Sequence, residues 1–145
     1  MRTLPQTKKR IVAVALSSAL AVMAGYSSMA FGENVTLSGN SEVPPVTTTA
    51  AGTGTITIDA DRSVKGSVTV TGMTATASHI HEGAAGTNGP VIVPFTKTGD
   101  NKFAPAADAK LTEAQYAAYK AGNLYVNVHS AKNAGGEVRA QLKGS

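Results

Sequence analysis

The alternation of apolar and polar residues in several short stretches is the feature that most restricts how this chain can fold. Residues 53–59 alternate isoleucine with threonine, and residues 64–71 alternate again beyond the turn-forming residues 61–63. Successive side chains of a β-strand point to opposite faces, so a period of two is typical of a half-buried strand. The two stretches and the turn between them predict a β-hairpin.

Similar stretches recur at fairly regular intervals along the chain. The predicted strands are residues 34–38, 53–59, 64–71, 75–82, 90–95, 123–130 and 137–142. Residues 97–108 are polar and irregular, and no strand is predicted there. One short helix is predicted near residues 112–121, where Thr112 suits the N-cap and Gly122 ends the helix. About seven or eight short antiparallel strands favour an all-β Greek-key β-sandwich, with an open barrel as the alternative.

The first thirty residues differ in composition from the rest. Four basic side chains within residues 2–10 precede an apolar run over residues 11–25, and residues 28–30, Ser-Met-Ala, fit the small-x-small pattern of a cleavage site. This arrangement predicts a secretory signal peptide, residues 1–30, and a single domain, residues 31–145. An uncleaved membrane anchor is the alternative, although the apolar run is short for a membrane span.

Charge and cysteine content exclude several classes of function. Four of the thirteen basic residues and none of the nine acidic residues lie in the predicted signal peptide, so the domain carries nine of each and is close to neutral. A neutral domain offers no electrostatic argument for binding nucleic acid or an anionic membrane surface. The chain has no cysteine, so a packed core and not a disulfide framework must hold it together. We expect a secreted or periplasmic protein with no membrane span after cleavage.

All three histidines of the chain lie in two of the alternating stretches. His79 and His81 flank Ile80, and His129 follows two alternating valines. If the apolar residues point into a core, the histidines lie on the outer faces of their strands. Two histidines at i and i+2 are then roughly 7 Å apart along one face, and a third on a neighbouring strand lies about 4.8 Å to the side. Three imidazoles in this arrangement can bind one metal ion.

Three imidazole nitrogens suit copper or zinc, and we expect copper more than zinc. Glu82, Asn127 and Glu137 are candidates for an additional ligand or for orienting an imidazole. The His-x-His element is similar to one in copper–zinc superoxide dismutases, but this chain lacks the further histidines and the aspartate of a two-metal site. The alternative is that the histidines are structural and hydrogen-bond to loop backbones. Glu137 and Arg139 could equally pair with each other.

Four stretches, in their order along the chain, resemble the CHRD domain, a module first described as repeats in chordin and also found alone in bacterial exported proteins. They are residues 37–46, residues 78–83 with 88–91, residues 124–130, and residues 135–142. Together they cover nearly all of the predicted domain. The resemblance implies an extracytoplasmic β-sandwich domain. It implies little about biochemistry, and the growth-factor binding of chordin should not be transferred to a stand-alone chain.

The predicted function is therefore an exported, non-enzymatic CHRD-like module that binds copper or zinc through His79, His81 and His129. The second hypothesis is a structural or adhesive module of the cell envelope that binds an extracellular protein or matrix partner. A metal-dependent oxidoreductase is a third, and it would require an open coordination position in a pocket. No serine or cysteine has the setting of a catalytic nucleophile.

Overall fold

The computed structural model describes residues 30–144, so the predicted signal peptide lies outside the described residues except for Ala30. Eight strands and two short helices make up this part of the chain. The strands are β1 (Glu33–Ser38), β2 (Ala51–Ile58), β3 (Val64–Thr71), β4 (Ala75–Glu82), β5 (Val91–Gly99), β6 (Lys102–Pro105), β7 (Leu124–Ser130) and β8 (Val138–Leu142). A 3-10 turn, Gly39–Ser41, follows β1, and the helix α1, Glu113–Lys120, precedes β7.

The eight strands form one closed antiparallel barrel in the order β1-β2-β3-β6-β5-β4-β7-β8, with β8 pairing back to β1. The prediction of an all-β antiparallel fold is confirmed, but the prediction of a Greek-key β-sandwich is wrong. Alternation reports only that one face of each strand is buried, and both a packed pair of sheets and a curled single sheet satisfy it. Ser38 pairs with Arg139 where the sheet closes, so no strand of the barrel is left as an edge.

A glycine with a positive φ lies inside β3. Gly66, at a φ of 129°, lies opposite Ile56 in the register of the two strands. A Cβ at Gly66 would come within 2.0 Å of the Thr55 carbonyl oxygen. Glycine is therefore required here by both the backbone conformation and the close approach of β2.

The barrel interior is filled by the inward-facing aliphatic side chains, as the alternation predicted. Ile80 on β4 and Val126 and Val128 on β7 are completely buried there. Phe103 on β6 is also almost fully buried, although its surroundings in the sequence are polar. The expectation that residues 97–108 contain no strand is wrong, because β5 continues to Gly99 and β6 follows it. The polar residues at the end of β5 and in β6 face outward. β6 has one buried side chain, Phe103, and one apolar residue is too few to form an alternating pattern.

The predicted helix is confirmed, with bounds one residue inside those expected at each end. Thr112 is the N-cap and forms a capping box with Gln115, in which each side chain accepts a hydrogen bond from the other residue's backbone N–H. Leu111 and Tyr119 pack the helix onto the barrel core. Across residues 30–144, no helix is both long and apolar enough to cross a membrane.

A second, polar layer covers the outer face of β4, β7 and β8. Its side chains are buried although they point away from the barrel interior; they are Glu42, His81, Tyr125, Asn127, His129, Glu137 and Arg139. Arg139 holds this layer together through an ion pair with Glu42, 3.0 Å from guanidinium to carboxylate. The same guanidinium donates to the Thr87 carbonyl at 2.8 Å, in the loop that joins β4 to β5. The layer therefore lies between the barrel wall and two loops that cross over it.

Candidate metal centre

Adjacent antiparallel strands bring the three histidines together. β4 pairs with β7 in a register that sets Ala77 opposite His129, so His79 lies diagonally across from His129. The ring centroids are 4.8 Å apart for His79 and His129, 5.5 Å for His79 and His81, and 6.1 Å for His81 and His129. One ring nitrogen of each histidine lies within 4.8 Å of the other two. The clustering that the two alternating stretches suggested is therefore present.

The histidines are less exposed than residues on the outer face of a strand usually are. His81 and His129 are buried, and His79 is half-buried. The loops after β4 and after β7 cover them, because His81 hydrogen-bonds to the first loop and His129 to the second. The cluster is consequently a partly desolvated site and not a group of surface histidines.

Backbone carbonyls fix the tautomers of two of the three rings. Nδ1 of His81 lies 2.9 Å from the Gly89 carbonyl oxygen, and Nδ1 of His129 lies 2.9 Å from the Ala134 carbonyl oxygen. A carbonyl oxygen can only accept, so both Nδ1 atoms must carry the hydrogen and donate it. In the neutral ring the lone pair is then on Nε2, which is the nitrogen available to a metal.

The third ring completes this pattern. Nδ1 of His79 lies 3.0 Å from Nε2 of His129. Because that Nε2 carries a lone pair, His79 is the donor of this hydrogen bond. Nε2 of His81, by contrast, is buried and has no hydrogen-bond partner. A buried acceptor without a partner costs free energy, so a cation or a donor at this position would be stabilising.

The surroundings of His79 and His81 favour the neutral form of both rings. Burial lowers the pKa of His79, and the neighbouring His129 and His81 lower it further. Burial also lowers the pKa of His81, although the Gly89 carbonyl, by accepting from its N–H, partly opposes this shift. Neutral imidazole is the form that coordinates metals, so the free-energy cost of removing a proton before binding is small at neutral pH.

The three residues predicted as additional ligands differ in their surroundings. No carboxylate joins the histidines in the group of mutually close ligand atoms within residues 30–144. Glu137 accepts hydrogen bonds from the Thr48 hydroxyl at 2.7 Å and from the Ser130 hydroxyl, and these lower its pKa. Glu82 is half-buried at the end of β4. Asn127 lies directly opposite His79, is fully buried, and has an unpartnered Oδ1.

Several residues around the histidines were not identified from the sequence. Tyr125 stacks on His81 with ring centroids 4.8 Å apart, and Arg139 pairs with Glu42 and not with Glu137. Tyr125 could have been found, since it shares the alternation of Asn127 and His129 on one face of β7. The Glu42 pairing could not, because it joins positions 97 residues apart across a loop that has no regular pattern.

The family model of the CHRD domain matches residues 34–142 of the chain, which include all three histidines and nearly all of the barrel. Comparisons with curated proteins and with solved structures found no match.

Proposed function

The chain belongs to the CHRD domain family, and we propose that it is an exported binding module, not an enzyme, that holds one copper or zinc ion through His79, His81 and His129. The family assignment carries no ligand, so the proposal rests on the residues of this chain. The observation that carries it is the unpartnered, buried Nε2 of His81 beside the His79–His129 pair.

The spacing of the nitrogens is close to that of a metal site. Two nitrogens bonded to one ion at about 2.0–2.1 Å are about 3.3 Å apart in a tetrahedral site and at most about 4.2 Å apart in any geometry. The His79 and His129 nitrogens are 3.0 Å apart, and the widest separation in the group is 4.8 Å. A movement of roughly 1 Å by one ring, within the range of a side-chain adjustment, brings all three nitrogens into bonding distance.

The donor set favours particular ions. Three imidazoles with no thiolate and no carboxylate among them suit copper(II) and zinc, whereas magnesium and calcium prefer oxygen ligands. Asn127 Oδ1 is the protein atom best placed to interact with a fourth ligand, such as a coordinated water, since it is buried without a partner opposite His79.

A structural or adhesive module of the cell envelope is the second candidate, and one observation favours it. His81 and His129 each donate to a loop carbonyl, so the histidines also fasten the loops after β4 and β7 to the barrel wall. On that account the histidines stabilise the fold, and an extracellular protein or matrix component is the partner.

Calorimetric titration of metal-stripped protein with copper(II) and with zinc(II) tests the proposal. We expect binding of one ion per chain in the wild type, and loss of that binding in both His79→Ala and His129→Ala. Glu113→Ala is the matched control, because it removes a carboxylate that is 92% exposed on α1 and should leave binding unchanged. Absence of binding at micromolar ion, with all variants folded by circular dichroism, would favour the structural role.

A further inference from the structure

We propose that Tyr125 is the positioning residue that directs the ligand nitrogen of His81 towards the other two histidines, and that it does so through Gly89. This inference rests on the proposed function. It assigns a role to a residue that contacts a proposed ligand but does not itself belong to the histidine group.

Tyr125 contacts His81 in two independent ways. The two rings are stacked, 4.8 Å between centroids and 5° from parallel. The Tyr125 hydroxyl also accepts a hydrogen bond of 3.0 Å from the Gly89 N–H, while the Gly89 carbonyl accepts one of 2.9 Å from His81 Nδ1. The hydroxyl also lies 3.5 Å from the Gly89 carbonyl oxygen, to which it can donate. One residue therefore holds the flat face of the imidazole and contacts both backbone groups of Gly89, whose carbonyl sets the tautomer of His81.

Gly89 packs closely against the end of β4. A Cβ at this position would lie 1.6 Å from the Glu82 carbonyl oxygen, so the loop passes against the end of β4 more closely than any other residue type permits. The neighbouring Asn88 is held as well, since its Oδ1 accepts from Arg139 at 2.5 Å. The loop that carries Gly89 is thus held against the end of β4 and against Arg139, and the Tyr125 hydroxyl contacts Gly89 itself.

Arg139 links Tyr125 to the rest of the buried polar layer. Its guanidinium carbon lies 3.8 Å from the centre of the Tyr125 ring, within the range of a cation–π contact. The same group pairs with Glu42 and donates to the Thr87 carbonyl. The Tyr125 ring therefore contacts both His81 and Arg139. Because Arg139 is itself fixed, it limits the movement of the Tyr125 ring, and that ring in turn positions the imidazole of His81.

The chemical consequence follows from the tautomer. With Nδ1–H donating to Gly89, the lone pair of His81 is on Nε2. When the Tyr125 hydroxyl is removed, the Gly89 N–H loses its acceptor and the Gly89 carbonyl loses the 3.5 Å contact with the same hydroxyl, so the backbone of Gly89 can shift away from His81. The ring can then place its hydrogen on either nitrogen, and a part of the population presents N–H where the metal should bind. Loss of such an orienting partner typically weakens metal binding 10–100-fold.

The test compares Tyr125→Phe, which keeps the stacked ring, with Tyr116→Phe as the control at a half-buried tyrosine on α1. Long-range ¹H–¹⁵N correlation spectra of the metal-free proteins report the tautomer of His81 directly. We expect a single Nδ1–H tautomer in the wild type and in Tyr116→Phe, and a mixture in Tyr125→Phe. Copper(II) titration of the same proteins should give at least tenfold weaker binding for Tyr125→Phe only.

The outcomes separate this inference from the proposed function. An unchanged His81 tautomer in Tyr125→Phe would overturn the positioning role, whether or not the protein binds metal. A changed tautomer in a protein that binds no metal even as wild type would support the positioning of His81 and overturn the metal site. If Tyr125→Phe does not fold, Gly89→Ala displaces the same carbonyl from the other side of the contact. That variant should give the same mixture, and an unchanged His81 tautomer in it would overturn the inference.

Discussion

Nδ1 of His79 and Nε2 of His129 lie 3.0 Å apart, although the two residues are 50 positions apart in the chain. The contact is diagonal across the β4–β7 pair, because His79 faces Asn127 in the register and not His129. One shared hydrogen between two imidazoles occupies the position that a metal ion bonded to both nitrogens would take. Most of the chemistry proposed for this protein follows from that arrangement.

Metal binding should release almost no protons at pH 7.5. The lowered pKa values of His79 and His81 leave both rings neutral, and if His79 Nδ1 bonds an ion together with His129 Nε2, the hydrogen of His79 moves to Nε2 of the same ring instead of leaving the protein. Calorimetric titration with zinc(II) in two buffers of different ionisation enthalpy measures the number of protons released. We expect a value near zero; release of about one proton per ion would show that an imidazole is protonated before binding or is bound as imidazolate.

Stability should decrease in mild acid. The pKa values of His79 and His81 in the folded protein lie below the ordinary value of 6.5, so the unfolded chain takes up protons first as the pH falls. Their contribution is complete above about pH 6.5 and is lost as the pH falls through the lowered values. We expect a lower Tm at pH 5.5 than at pH 7.5 in metal-free protein.

Glu42 has the opposite effect on the pH dependence of stability. Burial raises its pKa above the ordinary value of 4.5, although the nearby Arg139 partly opposes this shift. Its contribution to stability is therefore lost as the pH rises. The histidine effect is therefore isolated by comparing the wild type with His79→Gln. That variant should show a smaller drop in Tm between the two pH values. An equal drop in both proteins would assign the acid sensitivity to other groups.

A strand could be predicted from the sequence only where apolar and polar residues alternate along it. The β2–β3 hairpin alternates over its length and β4 alternates around Ile80, and the predicted strands agree with the observed ones to within about two residues. β6 carries a single buried side chain and was missed. Closure of the barrel depends on which strand pairs with which, and a period of two contains no information on pairing partners.

The missed strand β6 should be important for stability. Phe103 is only 1% exposed and pairs with Val68 of β3, so it connects the two parts of the barrel that the β5–β6 hairpin joins. Phe103→Ala should reduce the free energy of unfolding by about 3–5 kcal/mol, measured by urea denaturation. Phe31→Ala is the control, since Phe31 is 89% exposed and should have no effect. A loss below about 1 kcal/mol for Phe103→Ala would contradict its assignment to the core.

The buried ion pair of the polar layer should be costly to break. Both side chains of the Glu42–Arg139 pair are 3% exposed, so Glu42→Ala leaves an uncompensated guanidinium inside the protein. We expect a loss of about 3–5 kcal/mol in the free energy of unfolding. Glu113→Ala, which removes the exposed partner of Arg62, should leave stability unchanged. Equal effects of the two variants would mean that water reaches Arg139.

The candidate site was only partly visible in the sequence. The histidines could be found because His79, His81 and His129 occupy the polar positions of two alternating stretches. In a strand, alternate positions lie on the same face, so the pattern placed these side chains on the outer faces of their strands. The carbonyls of Gly89 and Ala134, which set the tautomers, belong to loops, and a backbone group has no residue type by which to recognise it. The burial of the cluster also depends on those loops and could not be predicted from the strands.

Anomalous diffraction from crystals of residues 31–145 grown with copper(II) tests the central claim most directly. Data collected on either side of the copper absorption edge locate the ion without reference to any assumed ligand. We predict one strong anomalous peak about 2 Å from a ring nitrogen of each of His79, His81 and His129. A peak elsewhere on the chain, or none near the three imidazoles while His79 and His129 remain hydrogen-bonded to each other, would contradict the metal site.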